Sequence, residues 1–264
     1  MTKKKDSEGR IIQSVERAVK ALLLFLEDDS ELGIKDFSAM LDLPKPTIYS
    51  IVNTLTVHNV LEQNPDNSKY HLGPVVFRLG LQYLRHQDFL STMIVWIERL
   101  AFRFSKSVNV CMLISNQMVV IHKVDPDEVI ISYPNVGASV SVHNTANGKV
   151  LLAYSDKETR DKVLDRCAFD RSTEFTIADR DLLEEELERV RASGVGHNRQ
   201  EGVIGVSSIA GPIFNHNNQI IASFSIFGSA EYFKENSDKL AAEVRNTAHS
   251  ISKQLGYRGN DLGM

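Results

Sequence analysis

The chain has 264 residues and a formal net charge of −4, from 30 Lys and Arg against 34 Asp and Glu. Hydrophobic residues make up 42% and charged residues 24% of the sequence, which is ordinary for globular proteins and excludes a disordered chain. The acidic balance excludes a uniformly basic nucleic-acid coat protein, although it allows a local basic surface. The length favours one large domain or two small ones.

The longest apolar run, residues 21–26, is too short to cross a bilayer, and no apolar signal segment follows the basic residues Lys3 to Lys5. The two cysteines, Cys111 and Cys167, are too few for a disulfide framework and suit a reducing compartment. We therefore expect a cytoplasmic protein without a membrane partner, beginning with a basic tail over residues 1–10.

Residues 11–73 have the pattern of three short helices followed by a β-hairpin. The first helix is predicted over 12–27, where one face carries Val15, Ala18, Val19, Leu22, Leu23 and Leu26. The second is predicted over 34–41, and Pro46 opens the third, whose apolar positions are Ile48, Ile51, Val52 and Leu55. Extended runs over 60–63 and 69–72 enclose a turn. This order is typical of a winged helix-turn-helix.

The rest of the chain predicts a linker helix over 74–87, within a helical stretch over 74–105 that is apolar on more than one side. Strands are predicted at 108–114, 117–124, 129–133, 139–142, 203–210 and 220–227, and helices at 146–154, 156–165, 179–193 and 237–256. Antiparallel hairpins segregated from helices make residues 88–258 an α+β domain, followed by a tail over 259–264.

The third helix carries a polar face opposite its apolar stripe, with side chains able to reach base edges and phosphates in a major groove. No acidic residue occurs between Leu43 and Leu61. The candidate DNA-binding residues on this face and the wing are Lys45, Thr47, Tyr49, Ser50, Asn53, Thr54, His58 and Lys69. The alternative is a protein-interaction domain with a solvated polar face, since acidic residues slightly outnumber basic ones over residues 1–80.

A second candidate site is the segment from Asn144 to Lys149, which runs from a strand into a helix. Thr145 can cap that helix and leave the N–H groups of Ala146 to Gly148 facing an anion. An ordinary capped helix on a sheet explains the same residues, and the motif alone does not decide between them.

The sequence resembles the IclR family of bacterial transcriptional regulators over about residues 11 to 255. The resemblance is carried by the run from Ile12 to Ala18, by Leu43 to Tyr49, by Tyr70 to Gly73, and by His143 to Lys149. Further matching residues are Gly194, Glu201, Gly205, the run from Ile209 to Pro212, and Gly228.

The resemblance implies a winged helix-turn-helix, a linker helix and a C-terminal GAF-like domain that binds a small organic effector. It implies a homodimer or tetramer on palindromic operator DNA, more often a repressor than an activator. The effector positions that it implies are Ala146, Asn147, Gly148, Asn198, Ser208, Ser225 and Phe227, with Asn198 placed after a strand over 194–197. Asn198 stands where the family often has Asp, Phe227 where a small hydroxyl residue can occur, and Ser50 where Arg is common. We therefore expect a small carboxylate or neutral polar ligand with a flat ring.

Enzyme, cofactor and metal chemistry find little support in the sequence. Gly148-Lys149 lacks the remainder of a phosphate-binding loop, and Gly205 to Ile209 lacks the second glycine of a nucleophile elbow. The eight histidines show no ligand pair at i, i+4, and Cys167 has no evident base. The competing function is a small-molecule-binding protein with an N-terminal protein-interaction domain.

Overall fold

The computed structural model describes residues 11–26, 31–85, 89–126 and 134–259. The chain divides into two compact units, with the division between residues 87 and 88. The predicted strand at 129–133, the basic tail at 1–10 and most of the tail at 259–264 lie outside the described residues. The bounds given above for the DNA-binding domain, the linker helix and the second domain stay predictions. No helix of the described part is long and apolar enough to cross a membrane.

The first unit is a winged helix-turn-helix followed by a further helix, as predicted. Its helices are α1 (Gln13–Leu23, extended by a 3-10 turn at Leu24–Leu26), α2 (Ile34–Leu41), α3 (Lys45–Val57) and α4 (Pro74–Arg85). The wing consists of β1 (Leu61–Gln63) and β2 (Tyr70–Leu72), which pair antiparallel. The core of this unit contains Ala21, Phe37, Ile48, Val52 and Leu61, all fully buried.

The predicted apolar face of α1 is largely exposed. The exposed fractions of Val15, Val19 and Leu23 are 57%, 48% and 50%. Ala21 is fully buried and belongs to the core that contains Phe37. A stripe of apolar side chains therefore faces outward on α1.

The second unit is built on a six-stranded antiparallel sheet in the order β5-β4-β3-β8-β7-β6. The strands are β3 (Ser107–Ile114), β4 (Gln117–Val124), β5 (Ser139–Val140), β6 (Gly196–Arg199), β7 (Val206–Phe214) and β8 (Ile220–Ser229). The hairpin of β3 and β4 turns at Ser115 and Asn116, which adopt positive φ, as their residue types allow.

Helices cover both faces of this sheet. On one face, α5 (Phe89–Phe104) and α9 (Ala230–Gln254) bury a core with residues such as Phe224 and Ile226. On the other, α6 (Ala146–Tyr154), α7 (Lys157–Leu164) and α8 (Arg180–Ser193) form a second apolar cluster around Val150 and Leu187. The predicted α+β class is confirmed.

Several element bounds differ from the prediction, three of them near the candidate site. Residues 203–205 precede β7 as a loop, with Val203 and Ile204 exposed, although their apolar character indicated a strand. Helix α9 begins at Ala230, seven residues before the predicted start, and non-helical angles at Asn236 mark a kink at that predicted start. Strand β6 is shifted from its predicted position at 194–197, so that Asn198 lies within it.

Trp96, the one tryptophan of the sequence, connects α5 to the end of α9. Its indole N–H donates a hydrogen bond to Gln254 Oε1 at 3.1 Å. The guanidinium carbon of Arg99 lies 5.1 Å from the indole centroid, within the range of a cation–π contact. The two helices on this face are therefore joined by a polar contact as well as by the apolar core.

Candidate DNA interface and effector site

The apolar stripe of helix α3 packs into the core, so the polar face on the other side of the helix is exposed to solvent. Ile48 and Val52 are fully buried, and the residues opposite them face outward. Pro46 lies in the first turn, where a missing backbone N–H costs nothing. Of the predicted DNA-binding residues, Thr47 is half-buried and the others are exposed, namely Lys45, Tyr49, Ser50, Asn53, Thr54, His58 and Lys69.

Two of the hydroxyl groups on this face already donate hydrogen bonds within the helix. Ser50 Oγ donates to the Pro46 carbonyl at 3.0 Å, and Thr54 Oγ1 donates to the Ser50 carbonyl at 2.8 Å. Their oxygens can still accept, but their hydrogens are engaged. The longer side chains of Tyr49 and Asn53 are therefore better placed to reach base edges.

The turn of the wing is held by a residue that precedes α2. Asn64 Nδ2 donates to Glu31 Oε1 at 2.8 Å, and Asn67 Nδ2 donates to Glu31 Oε2 at 2.5 Å. These hydrogen bonds, with the nearby positive charge of Lys69, lower the pKa of Glu31. Asn67 Oδ1 in turn accepts the backbone N–H of Lys69 at 2.8 Å. The wing cation thus has a fixed backbone position.

In the second unit, Asn147 is the centre of a polar network buried between α6 and the sheet. Its Nδ2 donates to Asn109 Oδ1 at 2.7 Å and to Ser225 Oγ at 3.1 Å, and its Oδ1 accepts from Ser223 Oγ at 2.9 Å. Ser225 Oγ also donates to Asn109 Oδ1 at 2.7 Å. We call Asn109, Asn147, Ser223 and Ser225 the buried polar network.

Asn109 leaves one donor of this network without a protein partner. Its Oδ1 accepts two hydrogen bonds, which fixes the orientation of the amide, and its Nδ2 is buried without a partner among the described residues. An unpaired buried donor is costly unless a ligand or water supplies an acceptor. The network is therefore complementary to a molecule with an acceptor oxygen.

The other predicted effector residues on the strands form the adjacent row of the same sheet face. Asn198 is paired with Ser208 across β6 and β7, and Ser208 with Phe227 across β7 and β8. Ser225 lies two residues from Phe227 and points to the same side, because side chains alternate along a strand. The structure thus brings the predicted strand residues onto one face, and all of them are buried.

The start of α6 agrees only in part with the predicted anion-facing turn. Thr145 caps the helix, but its Oγ1 accepts the Gly148 N–H at 3.2 Å, so this amide is already used. A glycine is needed at position 148 because the backbone of Val142 passes very close to it, and a Cβ there would lie 2.1 Å from the Val142 carbonyl oxygen. Ala146 and Asn147 are buried at the same turn.

A buried ion pair fixes α6 to the segment after β6. Lys149 is fully buried, and its Nζ lies 2.7 Å from Glu201 Oε1 and 3.6 Å from Glu186 Oε1. It also donates to the His197 carbonyl at 2.9 Å. Glu201 N donates to Asn198 Oδ1 at 2.8 Å, so the ion pair also positions a predicted effector residue.

Cys167 corrects the prediction that it has no nearby base. Its Sγ lies 3.3 Å from His143 Nδ1, while His143 Nε2 donates to the Asp170 carbonyl at 3.0 Å. Burial, with Asp170 nearby, raises the pKa of Cys167, which keeps the thiol protonated at neutral pH. His122 and His197 lie on β4 and β6, separated by three strands, and the described residues contain no cluster of three metal-ligating side chains.

Sequence reasoning missed Asn109 and Ser223, which belong to strands with otherwise apolar patterns. A polar residue in an apolar strand is a detectable signal, because buried polar groups need partners. It also missed Glu31, whose importance depends on an approach by residues more than thirty positions away. No local pattern reveals that contact.

An exposed polar helix beside a wing, in a chain with a separate unit for a small ligand, defines the class of ligand-responsive DNA-binding regulators. Comparison with protein families agrees. The IclR helix-turn-helix domain matches residues 14–65, and the C-terminal domain of the bacterial transcriptional regulator IclR matches residues 81–253. The chain belongs to the IclR family of transcriptional regulators.

Individual relatives match along nearly the whole chain. The transcriptional regulator XynR of Escherichia coli is 32% identical over 250 residues, covering 94% of this chain and 98% of XynR. The transcriptional repressor AllR of Salmonella typhi is 29% identical, covering 93% and 91%. An IclR homologue from Microbacterium hydrocarbonoxydans, solved with 4-hydroxybenzoate, has a TM-score of 0.74 at 21% identity, covering 90% and 99%.

Proposed function

We propose that the chain is a cytoplasmic repressor that binds a palindromic operator as a homodimer or a dimer of dimers. A small organic acid, bound beside the buried polar network, changes its operator affinity. The single observation that carries the DNA-binding part is the exposed polar face of α3 in a stretch without acidic residues. The repressor assignment is supported by the relative AllR, which bears that designation.

The proposed readers are Tyr49 and Asn53, with Lys45 and Lys69 on the phosphates. Asn pairs with adenine through two hydrogen bonds in the major groove, and Lys neutralises phosphate without reading sequence. His58 and the hydroxyls of Thr47, Ser50 and Thr54 add contacts at the ends of the face. Because the helix has one lysine and no arginine, a single half-site contact is weak, and two linked copies are needed.

Exposed apolar faces on α1 and α4 support self-association. On α1 they are Val15, Val19 and Leu23, and on α4 Phe77 and Leu79 are 69% and 64% exposed. Contiguous exposed apolar side chains on a folded unit mark interaction surfaces. A second copy of the chain is the proposed partner, since a palindromic operator requires two reading helices.

Fluorescence anisotropy tests the DNA-binding function, with the duplex upstream of the protein's own coding region against a scrambled duplex in a salt series. We expect specific binding that weakens steeply with salt, because phosphate contacts release counterions. The matched variants are Lys45→Gln, which reduces the salt slope, and Lys20→Gln, whose α1 ammonium pairs with Glu16 at 2.8 Å and leaves the slope unchanged. Equal, feeble and salt-insensitive binding to both duplexes contradicts the proposal and favours the protein-interaction alternative.

The effector proposal is carried by the unpaired Asn109 amide. A carboxylate oxygen supplies the missing acceptor, and the aromatic ring of Phe227, in the adjacent row, provides an apolar surface for a flat ligand. Ser208 and Asn198 continue that row, and Ala146 and Gly148 close the site at the helix start. The homologue solved with 4-hydroxybenzoate is consistent with this ligand class.

Calorimetric titration with 4-hydroxybenzoate and benzoate, against the neutral benzamide, tests the effector site. We expect the carboxylates to bind more tightly, and Ser225→Ala and Asn147→Trp to weaken that binding at least about tenfold through lost hydrogen bonds and lost volume. Ser229→Ala, at the exposed end of β8, is the control. Unchanged binding in both network variants contradicts the placement.

A further inference from the structure

A cavity of about 300 Å³ lies between β6, β7 and α9. Its walls include His197, Asn198 and Arg199 of β6, Ser207 and Ser208 of β7, and Lys234 and Ser237 of α9. Because side chains alternate along β6, His197 and Arg199 face α9 while Asn198 between them faces α6. The cavity therefore borders Asn198 and Ser208 of the proposed effector row, while its charged side chains lie on the α9 side of the sheet.

The charged side chains that line this cavity are all positive. Arg199 and Lys234 contribute two cations, and none of the described residues that line the cavity is acidic, although the chain as a whole has more acidic than basic residues. Within the described ranges, neither the Arg199 guanidinium nor the Lys234 ammonium is in a salt bridge, whereas all four arginines of helices α7 and α8 are. The cations are available to a ligand.

The pKa of His197 reflects the positive charges around this cavity. Burial, together with the charges of Arg199, Lys149 and Arg245, lowers the pKa of His197 to about 4 against the opposing effect of Glu186. The Glu186 carboxylate is itself paired with Lys149 and with Arg189. A neutral imidazole in a cationic cavity can donate a hydrogen bond to an incoming anion.

We propose that this cavity binds a small organic dianion through charged side chains on the α9 side of the sheet, which are different from the groups of the buried polar network. The Arg199 guanidinium suits a planar carboxylate through two parallel hydrogen bonds, and Lys234 supplies a point charge for the second acidic group. Ser207 and Ser237 offer hydroxyl donors, and the Phe233 ring forms an apolar wall. The volume lies at the lower end for small-molecule sites, which limits the ligand to a compact dicarboxylate.

Calorimetric titration of the full chain with phthalate and succinate tests the site, with the neutral diamides phthalamide and succinamide as controls. We expect saturable binding of the dianions alone. Arg199→Gln and Lys234→Gln should each weaken it at least about tenfold, as expected for charge-assisted hydrogen bonds. Lys253→Gln is the matched control, because this exposed lysine lies on the same helix outside the cavity.

Histidine nitrogen NMR gives a second readout that does not depend on DNA binding. Bound dianion should raise the pKa of His197 from about 4 toward its ordinary value, because a negative charge stabilises the imidazolium. No saturable binding up to roughly 20 mM ligand overturns the proposal. Binding that persists unchanged in both Arg199→Gln and Lys234→Gln, or a His197 pKa that does not move, overturns it equally.

Discussion

The polar face of α3 and the buried polar network are both recognisable as polar positions in the sequence, but their surroundings are opposite. Tyr49 and Asn53 lie exposed on a helix that the core has already fixed, whereas Asn147 and Ser225 are hydrogen-bonded inside the second unit. An exposed side chain contributes little to folding, while a buried one contributes to folding and to ligand binding together. Substitutions in the two regions should therefore separate affinity from stability.

The largest effect is expected at Lys149. Lys149→Met leaves the Glu201 carboxylate buried without its cation and Glu186 with Arg189 alone, which should lower the free energy of unfolding by about 3–5 kcal/mol. Urea denaturation measures the loss. The control Lys157→Met removes an i, i+4 pair whose lysine side chain is 79% exposed, and should cost less than about 1 kcal/mol. Equal losses in the two variants would contradict the role of the buried pair.

Alanine substitution at two glycines should change the free energy of unfolding in opposite directions, which sharpens the comparison. Gly148→Ala forces a Cβ against the Val142 backbone and should destabilise by about 1–3 kcal/mol or more. Gly80→Ala, within α4 and with no atom within 4 Å of the added Cβ, should stabilise by about 1 kcal/mol through helix propensity. Thermal unfolding of both variants checks the signs, and destabilisation at Gly80 would show an unrecognised contact there.

The pH dependence of stability tests the environment of His197. Because its folded pKa of about 4 is below its ordinary value of 6.5, the unfolded chain binds a proton first as the pH falls. Stability should therefore decrease from pH 6.5 toward pH 4, by about 2 kcal/mol at pH 5 from this residue. His197→Gln removes that contribution, so its urea midpoint should fall less than that of the parent chain. Parallel pH profiles would argue against a neutral buried imidazole.

The smallest effect on stability is expected on α3, where the change appears in DNA binding instead. Asn53→Ala should weaken operator binding about tenfold, within the 1–3 kcal/mol of a base contact, and leave the free energy of unfolding within about 0.5 kcal/mol. Ser50→Ala should weaken binding less, because its hydroxyl hydrogen already bonds the Pro46 carbonyl. Anisotropy titrations compare the two, and a larger loss at Ser50 would reverse the proposed order of readers.

Sequence reasoning predicted the elements whose local signals agree with their packing. Pro46 and the stripe of Ile48 and Val52 defined α3, and Ser115 and Asn116 defined the turn of the β3–β4 hairpin. It failed for Val203 and Ile204, which have strand character but lie exposed in a loop. It also did not show that Val15, Val19 and Leu23 face outward on α1, because which side of an amphipathic helix is covered depends on residues distant in the chain.

For the candidate site, the sequence identified residues but not their bonds. The family resemblance indicated Asn147 and Ser225, and the structure brings them within 3.1 Å of each other. The third member, Asn109, lies on β3 and meets Ser225 only through the pairing of β3 with β8. Sheet order of this kind is set by long-range topology, which local patterns do not encode.

The contact between Trp96 and Gln254 allows the unfolding of the two units to be measured separately without an added label. Since the only indole of the sequence lies in the second unit, selectively excited tryptophan fluorescence follows that unit alone, while circular dichroism follows helices in both. Two unfolding curves recorded on one sample therefore separate the melting of the ligand-binding unit from that of the DNA-binding unit. Any effector added to that sample should shift the fluorescence curve first.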